Sequence, residues 1–403
     1  MLTFQYTAKT SDSKQAKGIV QAETESAAAK LITSKGLTPL EIHPKGQSNG
    51  LLSKFTNRIS TKDKVIFTRQ LATLINAGLP LTQSLRTVAE QTRSKALAVI
   101  ISEVISSVEG GVSLSDSLAK HPRAFNDVYV ALVAAGESSG TLDLALERIA
   151  NQQEKDADMI SKVRGALVYP IIVLFVIGGV VIFLLTTVVP QIELIYKDFD
   201  KELPFLTGLL IGAANIIINY WPYIVLSVIA AIYFLTKWFQ TKEGGAVADK
   251  IKLKMPIFGD LFNKLYMARF CRTGQTLMAS GVPMLEMMRV TARAVDNVHV
   301  EAAIFRASEK VKGGKGLSMA LKDEPVFLSL VPQMLKIGEQ SGSIDKMMDK
   351  AATYYEDELD SKIKTISTTI EPILMVFLAL VVGGIVGAIL VPVYNLASES
   401  IAT

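Results

Sequence analysis

The sequence predicts an all-α integral membrane protein: two homologous cytoplasmic antiparallel six-helix bundles and three transmembrane helices, with a small α+β N-terminal segment. Three observations carry this reading. They are three long uncharged apolar blocks, a lopsided distribution of Lys and Arg about them, and a tandem repeat in the segments between. Of the 403 residues, 49% are hydrophobic and 20% charged, and the mean hydropathy is +0.33. A composition so apolar over so many residues excludes an ordinary soluble domain.

The apolar residues are gathered into blocks. Residues 167–189, 205–236 and 373–393 contain no charge, and a helix needs only about 20 residues to cross roughly 30 Å of hydrocarbon. The middle block contains Asn215, Asn219 and Pro222 but is too short for a hairpin, since two spans need about 40 residues before any turn. It reads as one long helix, with a bend expected at Pro222. Residues 1–50 are polar and lack the apolar centre of a signal peptide, so insertion is expected to rely on the internal spans.

Charge sets the orientation. Of the 42 Lys and Arg, only Lys197 and Lys201 lie outside residues 1–166 and 237–372, and they face Glu193, Asp198, Asp200 and Glu202. The positive-inside tendency therefore places the two large segments in the cytoplasm and the short loop and C-terminus outside. A balance of +7 inside and −3 outside accounts for the net charge of +4, so the basic excess reflects topology and no nucleic-acid partner is expected.

The third observation is self-similarity. FTRQLATLINAGLPLTQSL from Phe67 matches FCRTGQTLMASGVPMLEMM from Phe270, pairing Arg69 with Arg272, Gly78 with Gly281 and Pro80 with Pro283. One residue is lost after Pro122 and Pro325. The match then resumes in Phe125 with Phe327, GESSG (Gly136, Glu137, Gly140) with GEQSG (Gly338, Glu339, Gly342), Glu154 with Glu356, and Pro170 with Pro372. Duplicated domains belong on one side of the membrane, and the two intervening spans satisfy that. Within each copy the apolar residues recur at helical spacing, with Gly78 as a C-cap and Pro80 in the next first turn. Ser113 or Ser115 can cap a helix after Gly110–Gly111, and Thr141 can cap the helix after GESSG, with Asp143 favoured by its dipole. Duplication is expected to give one chain pseudo-twofold character.

The expected organisation is then an α+β segment at 1–45, with strands in TFQYTAKT, GIVQAET and LTPLEIH about a helix ESAAAKLITSKG. A linker at 46–61 leads to repeat 1 at 62–166, and the transmembrane helices fall at 167–189, within 205–236 and at 373–393. An extracytoplasmic loop at 190–204, a linker at 237–264, repeat 2 at 265–372 and an extracytoplasmic tail at 394–403 complete the chain.

Catalytic motifs are missing. KGGKGLS at 312–318 lacks the spacing of a phosphate-binding loop, no G-x-S-x-G occurs, and no His, Cys, Asp or Glu cluster has metal-ligand spacing. Cys271 is the single cysteine, and His43, His121 and His299 are dispersed. The acidic run YYEDELD at 354–360 reads as a solvated helix face before it reads as a cation site. Glu137 and Glu339 read as caps of local turn amides or, less simply, as partner contacts. The spans carry no ionisable residue, which counts against a transporter, and a membrane-bound enzyme has no motif behind it. Gly178–Gly179, Gly383–Gly384 and Gly387 suit close helix packing, within or between chains. No catalytic, cofactor or metal site is expected, and the protein is not expected to be an enzyme.

FTRQLATLINAGLPL, GESSGTLDLAL and ALVYP in the first copy, with FCRTGQTLMASGVPM, GEQSGSIDKMM and TIEPIL in the second, closely resemble the inner-membrane platform proteins of type IV pilus assembly and type II secretion. The resemblance covers essentially the whole chain, the one departure being Cys271–Arg272–Thr273 opposite Thr68–Arg69–Gln70. It implies a homo-oligomeric platform in the bilayer that couples a hexameric assembly or retraction ATPase to pilin or pseudopilin subunits, beside other inner-membrane assembly proteins. It also marks a signature, with mainly structural roles expected for glycine and proline: Arg69, Gly78, Pro80, Gly136, Glu137, Gly140 and Pro170 in copy one, and Arg272, Gly281, Pro283, Gly338, Glu339, Gly342, Glu371 and Pro372 in copy two.

Overall fold

The computed structural model describes residues 2–9, 15–22, 29, 31–33, 38–44, 59–191, 194, 205–256 and 258–402. Strands β1 (Leu2–Lys9), β2 (Gln15–Ala22) and β3 (Thr38–Pro44) form an antiparallel sheet in the order β2-β1-β3. Phe4 lies opposite Val20 on one side and Pro44 on the other, with an irregularity between Thr7 and Ala8. Residues 31–33 are helical, inside the expected helix, whose remaining residues fall largely outside the described ones. So do the linker at 45–58 and nearly all of the loop at 192–204.

Repeat 1 comprises α1 (Thr61–Asn76), α2 (Leu81–Gln91), α3 (Lys95–Glu109), α4 (Leu114–Ala119), α5 (Asp127–Ser139) and α6 (Leu142–Phe183). Their starts follow from short polar side chains that satisfy the orphan amides of a first turn. Ser60 accepts from the Asp63 amide at 3.1 Å, Ser113 from the Asp116 amide at 3.0 Å and Asn126 from the Tyr129 amide at 3.0 Å. Thr141 does not cap α6; its hydroxyl is engaged with Ser139 at 2.7 Å. Pro80 and Pro283 take the N-cap position itself, one residue earlier than expected, because their fixed φ near −60° still permits the extended ψ of a cap.

α7 (Phe205–Phe239) is one continuous helix containing Pro222. The segment expected as a linker is α8 (Lys242–Lys254), started by Thr241, which accepts from the Gly244 amide at 3.1 Å. A Cβ at Gly244 would lie 2.0 Å from the Trp238 carbonyl oxygen, so the tight corner between α7 and α8 requires glycine. Asp249 on α8 accepts from the Val298 amide at 3.0 Å and so joins α8 to the bundle of repeat 2. That bundle comprises α9 (Phe258–Ala279), α10 (Met284–Ala294), α11 (Val298–Lys312), α12 (Leu317–Lys322), α13 (Leu330–Ser341) and α14 (Ile344–Ala402). α9 thus begins before the expected boundary at 265.

No helix begins at Pro170 or Pro372. α6 runs through Pro170 and α14 through Pro372, so in each repeat the sixth helix of the bundle is also the helix that enters the membrane. A mid-helix proline loses one backbone hydrogen bond but need not end a helix that packing holds on both sides. α6 continues through a π-helical turn at Leu184–Val188, and α14 runs to Ala402 without the break expected at 393. Helices 142–191, 207–239 and 344–388 are long and apolar enough to cross a membrane.

One hydrophobic core extends through both bundles. In repeat 1 it is built on Phe67, Leu71, Leu85, Leu118, Phe125, Tyr129 and Leu146, and in repeat 2 on Phe270, Leu277, Met287, Ile304, Leu321 and Phe327. The paired aromatics stand at equivalent places, with Phe67 and Phe125 ring centroids 5.8 Å apart and those of Phe270 and Phe327 5.0 Å apart. Among the described residues the spans pack together where α7 begins. There Leu185 and Val189 pack on Ile211 and Ala214, and the Thr207 hydroxyl donates to the Ala388 carbonyl at 2.8 Å.

The repeats are not related by a twofold axis. α9 and α10 of repeat 2 pack on α5 and α6 of repeat 1, yet no comparable packing joins α1 or α2 to α13 or α14. α6 also packs along its own counterpart α14; the rest of the contact among the described residues is head-to-tail, because there each copy presents a different face to the other.

Candidate functional site

The signature residues converge on two structural devices in each repeat. The first is an arginine clamp between the first helix and the helix that enters the membrane. Arg69 on α1 grips Glu154 on α6 bidentately, with Nε to Oε1 at 2.7 Å and Nη2 to Oε2 at 2.5 Å, and also donates to Asn151 at 2.6 Å. Arg272 on α9 does the same to Glu356 on α14 at 2.7 and 2.9 Å, adding Asp349 at 2.5 Å. Planar guanidinium suits this fork geometry, which lysine cannot reproduce. The hydrogen bond from Arg69 holds the Glu154 carboxyl below its usual range.

The second device is the turn built on GESSG and GEQSG. Glu137 at the end of α5 accepts from the Leu114 and Ser115 amides at 2.5 and 3.0 Å and from the Ser115 hydroxyl, so it caps α4 from another helix. Glu339 accepts from the Ser318 amide at 3.2 Å and hydroxyl at 2.5 Å, capping α12. A carboxylate at a helix N-terminus is favoured by both its orphan amides and its dipole. Gly136 and Gly338 allow the following helix to cross closely: a Cβ would stand 2.5 Å from Ala145 Cβ in one copy and 2.8 Å from Ile344 Cα in the other. Gly140 and Gly342 adopt φ of 70° and 65°, and Gly78 and Gly281 φ of 84° and 81°, in the left-handed turns that stop their helices. Pro170 is buried, whereas Glu371 and Pro372 are exposed where α14 enters its span.

Between the repeats lies a polar seam that spacing alone does not reveal. The Arg148 guanidinium donates to the Ala279 carbonyl at 2.7 Å and to the Ser280 hydroxyl at 3.0 Å. Gln152 bridges Thr273 and Thr276 at 3.3 and 3.2 Å, and Arg293 meets Asp127 at 2.7 Å. Nearer the membrane, Lys162 binds both Asp158 on α6 and Asp360 on α14 at 2.9 and 2.8 Å. The acidic run is therefore not a free solvated face: Glu356, Glu358 and Asp360 hold Arg272, Lys264 and Lys162 respectively. The i, i+4 spacing of Glu356 and Asp360 is the one sequence signal of this.

Asp156, also on the seam, is buried beside Arg269, and burial pushes its carboxyl above the usual range. Its Oδ1 and Gln153 Oε1 have no protein hydrogen bond and line a cavity of about 50 Å3 with Thr273 and Ala294. Burial likewise raises the Cys271 thiol, so it is neither exposed nor ionised for chemistry. Among the described residues, no three His, Cys, Asp or Glu side chains converge as a metal site. What the arrangement does is mechanical. It fixes two long helices to two bundles and the bundles to each other.

Paired bundles whose last helices become membrane spans define a duplicated membrane scaffold. The chain belongs to the type II secretion system protein F family, whose model matches residues 67–190 and 270–392, with the N-terminal domain of that protein matching residues 1–43. It is 38% identical to the type IV pilus assembly protein PilC of Myxococcus xanthus over 98% of this chain and 95% of the relative. It is 37% identical to the protein of the same name from Thermus thermophilus, over 98% of each chain. Type II secretion system protein F of Vibrio cholerae is 31% identical, again over 98% of each.

Proposed function

We propose that this protein is the inner-membrane platform of a type IV filament machine. It couples a cytoplasmic hexameric assembly ATPase to the insertion of pilin or pseudopilin subunits, in type IV pilus biogenesis or type II protein secretion. The observation that carries the reading is the continuity of α6 and α14 from bundle to span, with Arg69 and Arg272 locking each to the first helix of its bundle. A helix of this kind passes displacement along its axis instead of bending at a loop, so a force on the bundle is felt in the bilayer. Relatives of both kinds, pilus assembly and type II secretion proteins, match nearly the full length and support it. The N-terminus and both bundles lie in the cytoplasm and the C-terminus outside, a reading supported by the Lys and Arg distribution.

The test is chemical crosslinking in intact membranes, followed by mass spectrometry of everything captured by both bundles. Capture of a hexameric ATPase and a pilin-like protein, with loss of filaments or secretion on deletion of the chain, is the expected result. Intact filaments and secretion after deletion would overturn the proposal.

A further inference from the structure

Apart from the packing of α6 on its counterpart α14, the seam joins α9 and α10 to α5 and α6, and among the described residues the equivalent faces, α1/α2 and α13/α14, are not packed on each other. From this we infer that a second copy of the chain docks head-to-tail, seating the α13/α14 face of one copy in the α1/α2 groove of the next. The inference rests on repeat geometry and does not depend on the platform reading.

Three observations place the contact. First, the faces are homologous to an interface already made inside the chain. α9 and α10 seat α5 and α6, and the counterparts of those four helices are α1, α2, α13 and α14. Second, positions sealed in the seam are uncovered at their counterparts. The Arg272 side chain is 7% exposed but that of Arg69 36%, and Gln152 is 5% exposed where its counterpart Tyr354 is 49%. Thr276 is buried and its counterpart Thr73 exposed. Ile66, 46% exposed, lies with Gln70 and Gln91 along a groove of about 470 Å3 at this place.

Third, the charges at the rim are inverted together. Within the chain, Arg293 on α10 meets Asp127 on α5 at 2.7 Å. The counterpart of Arg293 is the exposed Glu90, and the counterpart of Asp127 is Ser329, in a recess shared with Lys322 and Lys336. Glu90 therefore complements the α13 face of another copy and would repel Asp127, so the open faces favour each other over the faces already used. A heterologous contact repeated from chain to chain closes into a ring or grows into a filament.

Disulfide trapping of the full-length chain in its own membranes tests this, with the buried Cys271 left in place. Because the Thr276 hydroxyl donates to Gln152 at 3.2 Å, the equivalent inter-chain pair is Thr73 and Tyr354. A chain carrying both Thr73→Cys and Tyr354→Cys is expected to oxidise to a ladder at multiples of one chain mass. Two co-expressed chains, one with each substitution, are expected to stop at the covalent dimer. Glu90→Lys should remove the ladder and Lys336→Glu in the same chain restore it. Gln152→Cys with Thr276→Cys, the equivalent pair inside one chain, reports that the fold and the oxidation are intact. The inference is overturned if that control closes while no ladder forms, if Thr73→Cys dimerises by itself, if Thr73→Cys and Tyr354→Cys join within one chain, or if the ladder ignores both charge changes.

Discussion

Arg69 and Arg272 make the same bidentate grip on equivalent glutamates, Glu154 and Glu356, yet one arginine is accessible to solvent and the other is buried. Removing one partner of a buried pair strands the other charge and costs about 3–5 kcal/mol, whereas an exposed pair is worth about 0–1 kcal/mol. Arg272→Ala is therefore expected to destabilise the full chain by several times as much as Arg69→Ala, measured by denaturant unfolding in detergent followed by circular dichroism. Equal losses would mean that burial does not decide the strength of the clamp. Asp156 makes the opposite contribution. Its folded carboxyl titrates above the unfolded value of about 3.9, so as pH falls from neutral the folded state takes up the proton first and gains stability. That gain is complete below the unfolded value and lost as pH rises through the folded one. Asp156→Asn is neutral throughout, so it should lose this pH dependence and be at least as stable as the parent at pH 7. A variant that retained the parent's pH profile would assign the titration elsewhere.

At the scale of the element, α6 and α14 carry the mechanical argument, because each is bundle helix and span in one. Their register can be broken without touching a core. Each inserted residue turns the following helix by about 100°, so two residues placed after Ile370, the last α14 residue packed on the core, rotate the last span by about 200° relative to its bundle, while four return it to within about 40°. The two-residue insertion should abolish filament assembly or secretion while leaving helical content and the bundle's resistance to protease unchanged, and the four-residue insertion should recover part of the activity. Full activity in the two-residue variant would show that α14 does not act as a rod. α8 makes a related point about reading elements. Its Gly244 and Gly245 look like linker residues, but the corner after α7 has no room for a side chain at Gly244, and a cap from Thr241 turns the segment into a helix.

For the whole molecule, polar pairs run along a seam across which the apolar core is continuous, with Lys162, Asp158 and Asp360 paired on its two long helices. Two carboxylates on one ammonium hold the Lys162 pKa up through the hydrogen bonds it donates to Asp360 and then Asp158. Lys162→Glu places a third negative charge there and should part the two long helices, read as faster proteolysis between the bundles and lower thermal stability. Adding Asp360→Lys should restore most of the loss, because the attraction across α6 and α14 is rebuilt with its sign reversed. No rescue by the second change would mean that the seam is held by its apolar contacts alone.

The spans, the duplication and the stop signals were legible in the sequence because each is local. An uncharged block of sufficient length records a bilayer, and Gly78, Gly140, Gly281 and Gly342 sit at positive φ for which a side chain is penalised by chirality. The tertiary structure decided what depends on faces meeting across long separations. Glu137 caps a helix that starts 23 residues earlier in the chain, and Lys162 finds Asp360 198 residues away. No periodicity encodes such partners, since a helix presents the same pattern of polar residues whether solvent or another helix lies opposite. For the same reason, duplication suggested a twofold pair and packing produced a head-to-tail one. Homologous copies diverge wherever one face is buried and its twin is not, and only the packed molecule shows which face that is.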